Sequence, residues 1–242
     1  MKKIAVLTAL LFAALQIGYA QKVGLVLSGG GAKGAAHIGV IKALEENGIP
    51  IDYITGTSAG AIVGSLYAMG YTPEEMVELM LSEEFSYWQT GTVENEYKYY
   101  FKRPDPTPEF GHFSIDMTDS LQVKASFLPQ SLINPIQMNQ AFMALFSQAT
   151  AKAGWNFDNL FVPFRCVASD IYSKKAIIFK NGDLGDAVRA SMTFPFFFQP
   201  IWKDSVPIFD GGIYDNFPVG PMKEAFHPDF IFGSTVAGGN NK

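Results

Sequence analysis

Residues 51–69 read IDYITGTSAGAIVGSLYAM, and this stretch decides how the chain is expected to fold. The apolar run over residues 51–55 is typical of a short buried strand, and the run from Ala61 to Met69 is compatible with a helix. Between them, Gly56-Thr57-Ser58-Ala59-Gly60 matches G-x-S-x-G, a motif in which a sharp strand-to-helix turn exposes a serine hydroxyl at the edge of a sheet. This context predicts that Ser58 is a nucleophile.

Steric crowding explains why this motif has glycine at its first and last positions. A side chain at Gly56 or Gly60 is expected to collide with the neighbouring strand or helix, because the chain reverses so tightly around the serine. Small residues also make ordinary strand-to-helix turns, so the five residues alone are weak evidence and the flanking pattern carries the prediction.

A second strand-turn-helix pattern precedes the first. An apolar run over residues 22–27 ends at a glycine-rich segment, and a helical pattern follows over residues 38–48. Amide groups at the start of a helix point outward where the helix dipole favours negative charge, so they can stabilise an oxyanion. The predicted donors are Gly29, Gly30 and Gly31, with Lys33 and Gly34 as supporting residues of the same loop.

The glycine-rich segment also fits a dinucleotide-binding pattern. Gly29, Gly31 and Gly34 match G-x-G-x-x-G after a strand, and Asp52 lies near the distance expected for an acid that binds the ribose. This alternative leaves Ser58 without a role. The signal peptide predicted below would also separate the protein from the usual nicotinamide pools.

A carboxylate is expected to meet Ser58. Asp210-Gly211-Gly212 closes an apolar run over residues 206–209, which places Asp210 at the carboxyl end of a strand. A buried carboxylate has a raised pKa and accepts a proton more readily, so Asp210 is predicted to be the general base for Ser58. The order serine, aspartate, histidine also admits a triad with His227, which we retain as an alternative.

The remaining pattern predicts one α/β domain with a mostly parallel sheet that is covered on both faces. Threonine, proline and two glutamates at residues 72–75 predict a capped helix over residues 73–81. Residues 82–113 are interpreted as an irregular excursion. Further elements are predicted as a helix from residue 134 and strands at residues 161–169, 175–179, 206–209 and 229–236.

The start of the chain has the composition of a secretory signal peptide. A basic start over residues 1–3 precedes an apolar run over residues 4–15, and small residues stand at positions 18 and 20. We expect cleavage after Ala20, which leaves residues 21–242 as one hydrolase domain with its core at about 23–219. The chain stops directly after a predicted strand, so we also expect that a longer protein continues beyond it.

Composition limits the possible partners. A net charge of −5 and a pI near 5.2 argue against nucleic acid as a partner. Cys166 is the single cysteine and lies in an apolar run, which predicts a buried, unreactive thiol. With His37, His112 and His227 scattered along the chain, no metal site is expected. The aromatic residues 193–198 are expected to lie mostly in the core, with some lining an acyl-chain groove or touching a lipid surface.

Together these features resemble the patatin-like phospholipase family, in particular its exported bacterial members. The resemblance covers residues 23 to about 219 and rests on four landmarks in order: the glycine loop 29–34, the turn 56–60, the segment 187–191, and Asp210-Gly211-Gly212 followed by residues 216–218. It implies a three-layer α/β/α fold, a Ser58–Asp210 dyad without histidine, and an oxyanion hole from Gly29 to Gly31. It also implies hydrolysis of fatty-acyl esters in phospholipids or related lipids without a metal or cofactor.

The same resemblance implies a cellular setting. Exported bacterial members can carry a membrane β-barrel after the hydrolase domain, and such a module would follow Lys242. We therefore expect peripheral contact with a membrane and a location in the periplasm, on the outer membrane or outside the cell.

Overall fold

The computed structural model describes residues 21–92, 112–116, 122–126 and 132–238, of which 112–116 and 122–126 are described by their backbone alone. The signal peptide predicted for residues 1–20 lies outside these residues.

Nine strands and seven α-helices make up the described part of the chain. The strands are β1 (Val23–Leu27), β2 (Tyr53–Thr57), β3 (His112–Asp116), β4 (Gln122–Ser126), β5 (Phe164–Asp170), β6 (Lys175–Phe179), β7 (Ile201–Lys203), β8 (Val206–Asp210) and β9 (Phe230–Ser234). The helices are α1 (Ala36–Glu46), α2 (Ala59–Ala68), α3 (Pro73–Leu81), α4 (Glu83–Thr90), α5 (Ile136–Lys152), α6 (Leu184–Ser191) and α7 (Val219–Phe226).

Seven of these strands form one mixed sheet. Its order is β7-β8-β5-β2-β1-β9, and β6 also pairs with β5. Strands β5, β2, β1 and β9 are parallel to their neighbours in this order, as expected. The pairings β5–β6, β5–β8 and β7–β8 are antiparallel, so the sheet is less uniformly parallel than the alternation of elements predicts. Strands β3 and β4 form a separate antiparallel pair.

Two strands of opposite direction share one edge of β5. Strand β2 pairs with the first half of β5, where Thr57 stands opposite Val167. Strand β8 pairs with the second half, where Asp210 stands opposite Ala168. Because β6 occupies the other edge of β5 at these same residues, β2 and β8 must lie end to end, with their carboxyl ends meeting.

Helices cover both faces of the sheet. On one face Leu25, Leu27 and Ile54 join a hydrophobic cluster with residues of α1, α2, α5 and α6. On the other face Gly24 packs against Met222 of α7, so closely that a Cβ at this position would overlap the methionine sulfur. The three-layer α/β/α arrangement is therefore confirmed.

The four predicted helices are present as α1, α2, α3 and α5, whereas α4, α6 and α7 are not predicted. Helix α3 begins as predicted, because Thr72 and Glu75 form a reciprocal capping box. The irregular excursion assigned to residues 82–113 is wrong for its first part, which forms α4. The hydroxyl of Ser82 caps α4 by accepting a hydrogen bond from the amide N–H of Phe85 at 3.1 Å. A serine followed by two glutamates is typical of the start of a helix, so the sequence contains a signal for α4. No described helix is long and apolar enough to cross a bilayer.

Candidate active site

Ser58 lies in a strained turn between β2 and α2. Its backbone has φ 53° and ψ −119°, a conformation that residues other than glycine rarely adopt and that is typical of the turn in which a catalytic serine is exposed. A Cβ at Gly56 would overlap the carbonyl oxygen of Gly60, and a Cβ at Gly60 would overlap that of Leu27. The two glycines are therefore required by the turn.

The side chains of Ser58 and Asp210 meet. Ser58 Oγ donates a hydrogen bond to Asp210 Oδ2 at 2.7 Å, and the amide N–H of Gly212 donates to Asp210 Oδ1 at 2.7 Å. Asp210 is only 8% exposed. Burial raises the pKa of its carboxyl, although the two hydrogen bonds partly offset this effect. The arrangement therefore pairs a hydroxyl with a carboxylate that is a stronger base than an exposed aspartate.

Glycines also shape the loop around Asp210. Gly211 lies so close to the carbonyl oxygen of Val167 that a Cβ would overlap it, and the Cβ of a residue at Gly212 would lie 2.7 Å from Asn216 Oδ1. These approaches explain why two glycines follow the aspartate.

Ser191 fixes the backbone of Ser58. The Ser58 amide N–H donates to Ser191 Oγ at 2.9 Å, and Ser191 Oγ donates in turn to the carbonyl oxygen of Val167. Ser191 is fully buried at the end of α6. Residues 187–191 are one of the family landmarks in the sequence, but no local pattern predicts the role of Ser191, because the contact joins segments 133 residues apart.

The thiol of Cys166 lies in the same buried region. It donates to the carbonyl oxygen of Ala187 at 3.2 Å, and burial raises its pKa to about 12. The burial of Cys166 expected from the sequence is confirmed, and its raised pKa disfavours the reactive thiolate.

The glycine loop lies beside the Ser58 turn. Gly29 and Gly34 pack so closely against Asn216 and Ala59 that a Cβ at either glycine would overlap the facing side chain. The Gly29 amide N–H donates to the carbonyl oxygen of Asn216 at 3.1 Å. Within the described residues the amides of Gly30 and Gly31 have no such acceptor. Lys33 is exposed.

His37 holds the base of this loop. Its ring is fully buried, with Nε2 2.9 Å from the carbonyl oxygen of Ser28 and Nδ1 2.7 Å from the hydroxyl of Ser234. Since a carbonyl oxygen only accepts, Nε2 carries the proton and Nδ1 accepts from Ser234. Burial lowers the pKa of His37, which favours this neutral form. The histidine is therefore a structural link between β1, α1 and β9.

The histidine triad is wrong. His227 ends α7 and precedes β9, whose first residue, Phe230, pairs with the first residue of β1. This places His227 at the amino edge of the sheet, whereas Ser58 lies at the carboxyl edge. His112 falls in β3, whose side chains are outside the described part of the chain.

The dinucleotide alternative is also wrong, for the same topological reason. Asp52 precedes β2 and accepts hydrogen bonds from the Val23 amide at 2.9 Å and from Lys22 Nζ at 2.7 Å. A ribose-binding acid has to lie at the carboxyl end of this strand, beside the glycine loop.

Comparison with known proteins adds a family match. The model of the family described as patatin-like phospholipase matches residues 25–223. The lysophospholipase NTE1 of Pyricularia oryzae is 31% identical over 217 residues, which cover 89% of this chain and 12% of that protein. The patatin-like phospholipase domain-containing protein ZK370.4 of Caenorhabditis elegans is 29% identical over 203 residues, covering 83% of this chain and 12% of that protein.

These relatives are much longer than the chain, which spans about an eighth of their length. Both come from eukaryotes, so they support the family and not its bacterial, exported subgroup. Among solved structures, VipD from Legionella pneumophila matches with a TM-score of 0.49 and 17% identity, over 82% of this chain and 47% of that one.

Proposed function

The chain belongs to the patatin-like phospholipase family, and on this premise we propose that it is a serine hydrolase of fatty-acyl esters in phospholipids or related lipids. Ser58 is the nucleophile, Asp210 is the general base, and no histidine takes part. The 2.7 Å hydrogen bond from Ser58 Oγ to Asp210 Oδ2 is the observation that carries this proposal.

The first half of the reaction transfers the acyl group to the enzyme. Ser58 Oγ attacks the ester carbonyl carbon while Asp210 takes the hydroxyl proton. The carbonyl oxygen becomes an oxyanion and accepts hydrogen bonds from the glycine loop. Of the three predicted donors, the amides of Gly30 and Gly31 have no other acceptor in the part of the chain that the structure describes, whereas Gly29 donates to Asn216. Asp210 then returns the proton to the departing alcohol oxygen as the carbon–oxygen bond breaks.

The second half releases the fatty acid. Water attacks the acyl–Ser58 carbonyl carbon and gives its proton to Asp210, and the same amides stabilise the second oxyanion. As this intermediate collapses, Ser58 Oγ leaves and regains a proton from Asp210. Atoms and protons balance over the cycle, because one water is consumed and one acid and one alcohol are formed.

The relatives support a substrate class to test. The protein from Pyricularia oryzae is named a lysophospholipase, so glycerophospholipids with one or two acyl chains are the first substrates to test.

We further propose export through residues 1–20 to the periplasm, the outer membrane or the medium. Amino-terminal sequencing of protein from fractionated cells tests this, because cleavage after Ala20 gives a mature chain that starts at Gln21.

Substitution of Ser58 tests the function directly. Ser58→Ala should lower the kcat/KM for p-nitrophenyl esters on the order of 10³-fold or more and abolish labelling by a fluorophosphonate. Ser65→Ala is a matched control, because the hydroxyl of Ser65 donates only to the carbonyl oxygen of Ile62 in its own helix. Retained turnover in Ser58→Ala with a native circular dichroism spectrum would refute the assignment. Mass spectrometry of lipid products then identifies the ester bond that is cleaved.

A further inference from the structure

Large apolar side chains are exposed beside the Ser58–Asp210 pair, and we name these five the apolar rim: Phe194, Phe196, Phe197, Ile213 and Tyr214. The three phenylalanines are 57%, 70% and 45% exposed. Phe194 and Phe197 form an edge-to-face pair with ring centroids 5.6 Å apart, so these two exposed rings are neighbours. Clustered exposed rings of this kind mark a surface that binds a partner.

The apolar rim comes from two segments, residues 194–197 and 213–214, and each follows a residue that is hydrogen-bonded to Asp210. The amide N–H of Asp210 donates to the carbonyl oxygen of Thr193 at 2.8 Å, and Phe194 is the next residue. Gly212 donates to the Asp210 carboxylate, and Ile213 is the next residue. The apolar rim therefore borders the site where an ester would react.

The backbone holds the most exposed ring outward. Phe196 has φ 70°, in the left-handed region that bulky side chains rarely adopt. The amide N–H groups of Leu132 and Ile133 donate to the carbonyl oxygens of Phe196 and Phe197 at 2.9 and 3.0 Å, which fixes this conformation. A strained residue that keeps its ring in water gains nothing from packing within the chain, so the strain indicates a role in binding.

We propose that the apolar rim docks on the surface of a zwitterionic phospholipid bilayer and places Ser58 at that surface. This rests on the proposed function, since the bilayer then supplies the acyl ester. A protein seated on the rim would cover the catalytic pair, whereas a bilayer brings the substrate to it. Residues 192–202 contain no charged side chain, and the charged residues that flank Ile213 and Tyr214 are the acids Asp210 and Asp215. The rim therefore lacks the lysines and arginines that select anionic lipids. Aromatic rings are favoured where a bilayer meets water.

A double variant tests the docking surface. Phe194→Ser removes one exposed ring, and Phe196→Asn removes the most exposed one while keeping a residue that tolerates the left-handed backbone. Binding is measured by sedimentation with vesicles of ether-linked phosphatidylcholine, which the enzyme cannot hydrolyse. The double variant should bind these vesicles at least about tenfold more weakly than the unchanged protein. Its kcat/KM for dissolved p-nitrophenyl butyrate should stay within about twofold.

Phe161→Ser is the matched control. Phe161 is 74% exposed but precedes β5, at the edge of the sheet away from Ser58, so its loss should change neither measurement. Unchanged vesicle binding in the double variant, or an equal loss in Phe161→Ser, would overturn the proposal. So would a dimer that the double variant abolishes while vesicle binding persists, because the rim would then bind a second copy. Failure of the proposed function is distinct, since it appears as ester hydrolysis that survives Ser58→Ala.

Discussion

The turn that carries Ser58 and the turn that carries Asp210 reach the same point of the sheet by different means. Ser58 follows a parallel strand and is fixed by a strained backbone, by two glycines in contact with backbone atoms and by the buried hydroxyl of Ser191. Asp210 ends the antiparallel strand β8, and its carboxylate is held by the Gly212 amide and by Ser58 itself.

The two turns differ in whether the residues that determine them are close together in the sequence. The Ser58 turn is encoded within the few residues around it, because strand, glycines and helix are contiguous. The position of Asp210 depends on β8 meeting β2 end to end along β5, which no short motif specifies. The Ser58 turn therefore holds the nucleophile in a fixed position, and the Asp210 turn supplies a buried carboxylate that accepts its proton.

Asp210→Asn should give the largest effect, because it removes the base and leaves the Ser58 turn unchanged. We expect kcat/KM for a p-nitrophenyl ester to fall on the order of 10³-fold or more. In the native enzyme, Asp210 must be ionised to accept the proton, and burial raises its pKa. Activity should therefore decline as the pH falls through a pKa above about 3.9, the value of an ordinary aspartate. Asp215→Asn, in the same loop, is the control; an equal loss there would contradict the specific role of Asp210.

The same Asp210→Asn variant should be more stable at pH 7. A carboxyl whose pKa is raised by folding stabilises the fold below its unfolded pKa, and this contribution is lost as the pH rises through its folded pKa. At neutral pH the buried charge therefore opposes folding, and asparagine removes it. We expect a Tm a few degrees above that of the native chain at pH 7, with a difference that shrinks toward pH 3. A lower Tm at pH 7 would show that the carboxylate stabilises the fold.

Gly60→Ala and Gly212→Ala, one substitution in each turn, should differ in how much stability and how much activity they cost. At Gly60 a Cβ would overlap backbone atoms of Leu27 and Ser28, which cannot move aside, so Gly60→Ala should cost about 1–3 kcal/mol of unfolding free energy. At Gly212 the nearest atoms belong to the side chains of Asn216 and Asp210, at 2.7 and 3.0 Å. Gly212→Ala should therefore cost less stability but more activity, because the carboxylate must shift. Urea unfolding and ester kinetics measure both, and the reverse ranking would contradict this comparison.

The sequence predicts features that depend on neighbouring residues better than features that depend on contacts between distant segments. Periodicity and glycines predict the Ser58 turn, the capped helix α3 and most strands, because these depend on neighbouring residues. The end-to-end meeting of β2 and β8 is different. The prediction that Asp210 lies at the site assumes parallel strands, yet β8 is antiparallel, so the residue is at the site for another reason. Order and spacing alone make His227 and Asp52 candidates, and sheet topology places both at the opposite edge of the sheet.

Ser191→Ala removes a single oxygen atom and tests a contact that only the fold reveals. It leaves the amide of Ser58 and the carbonyl of Val167 without their buried hydrogen-bond partner, which should cost about 1–3 kcal/mol of unfolding free energy. Because the amide belongs to the nucleophile, the Ser58 turn should also loosen, and we expect kcat to fall about tenfold with KM nearly unchanged. Ser65 is equally buried, but its hydroxyl donates to a carbonyl of its own helix, so Ser65→Ala should affect kcat little. If both variants lose the same stability and neither changes kcat, Ser191 fills space without positioning the nucleophile, and the rigidity of the Ser58 turn comes from its glycines and strand alone.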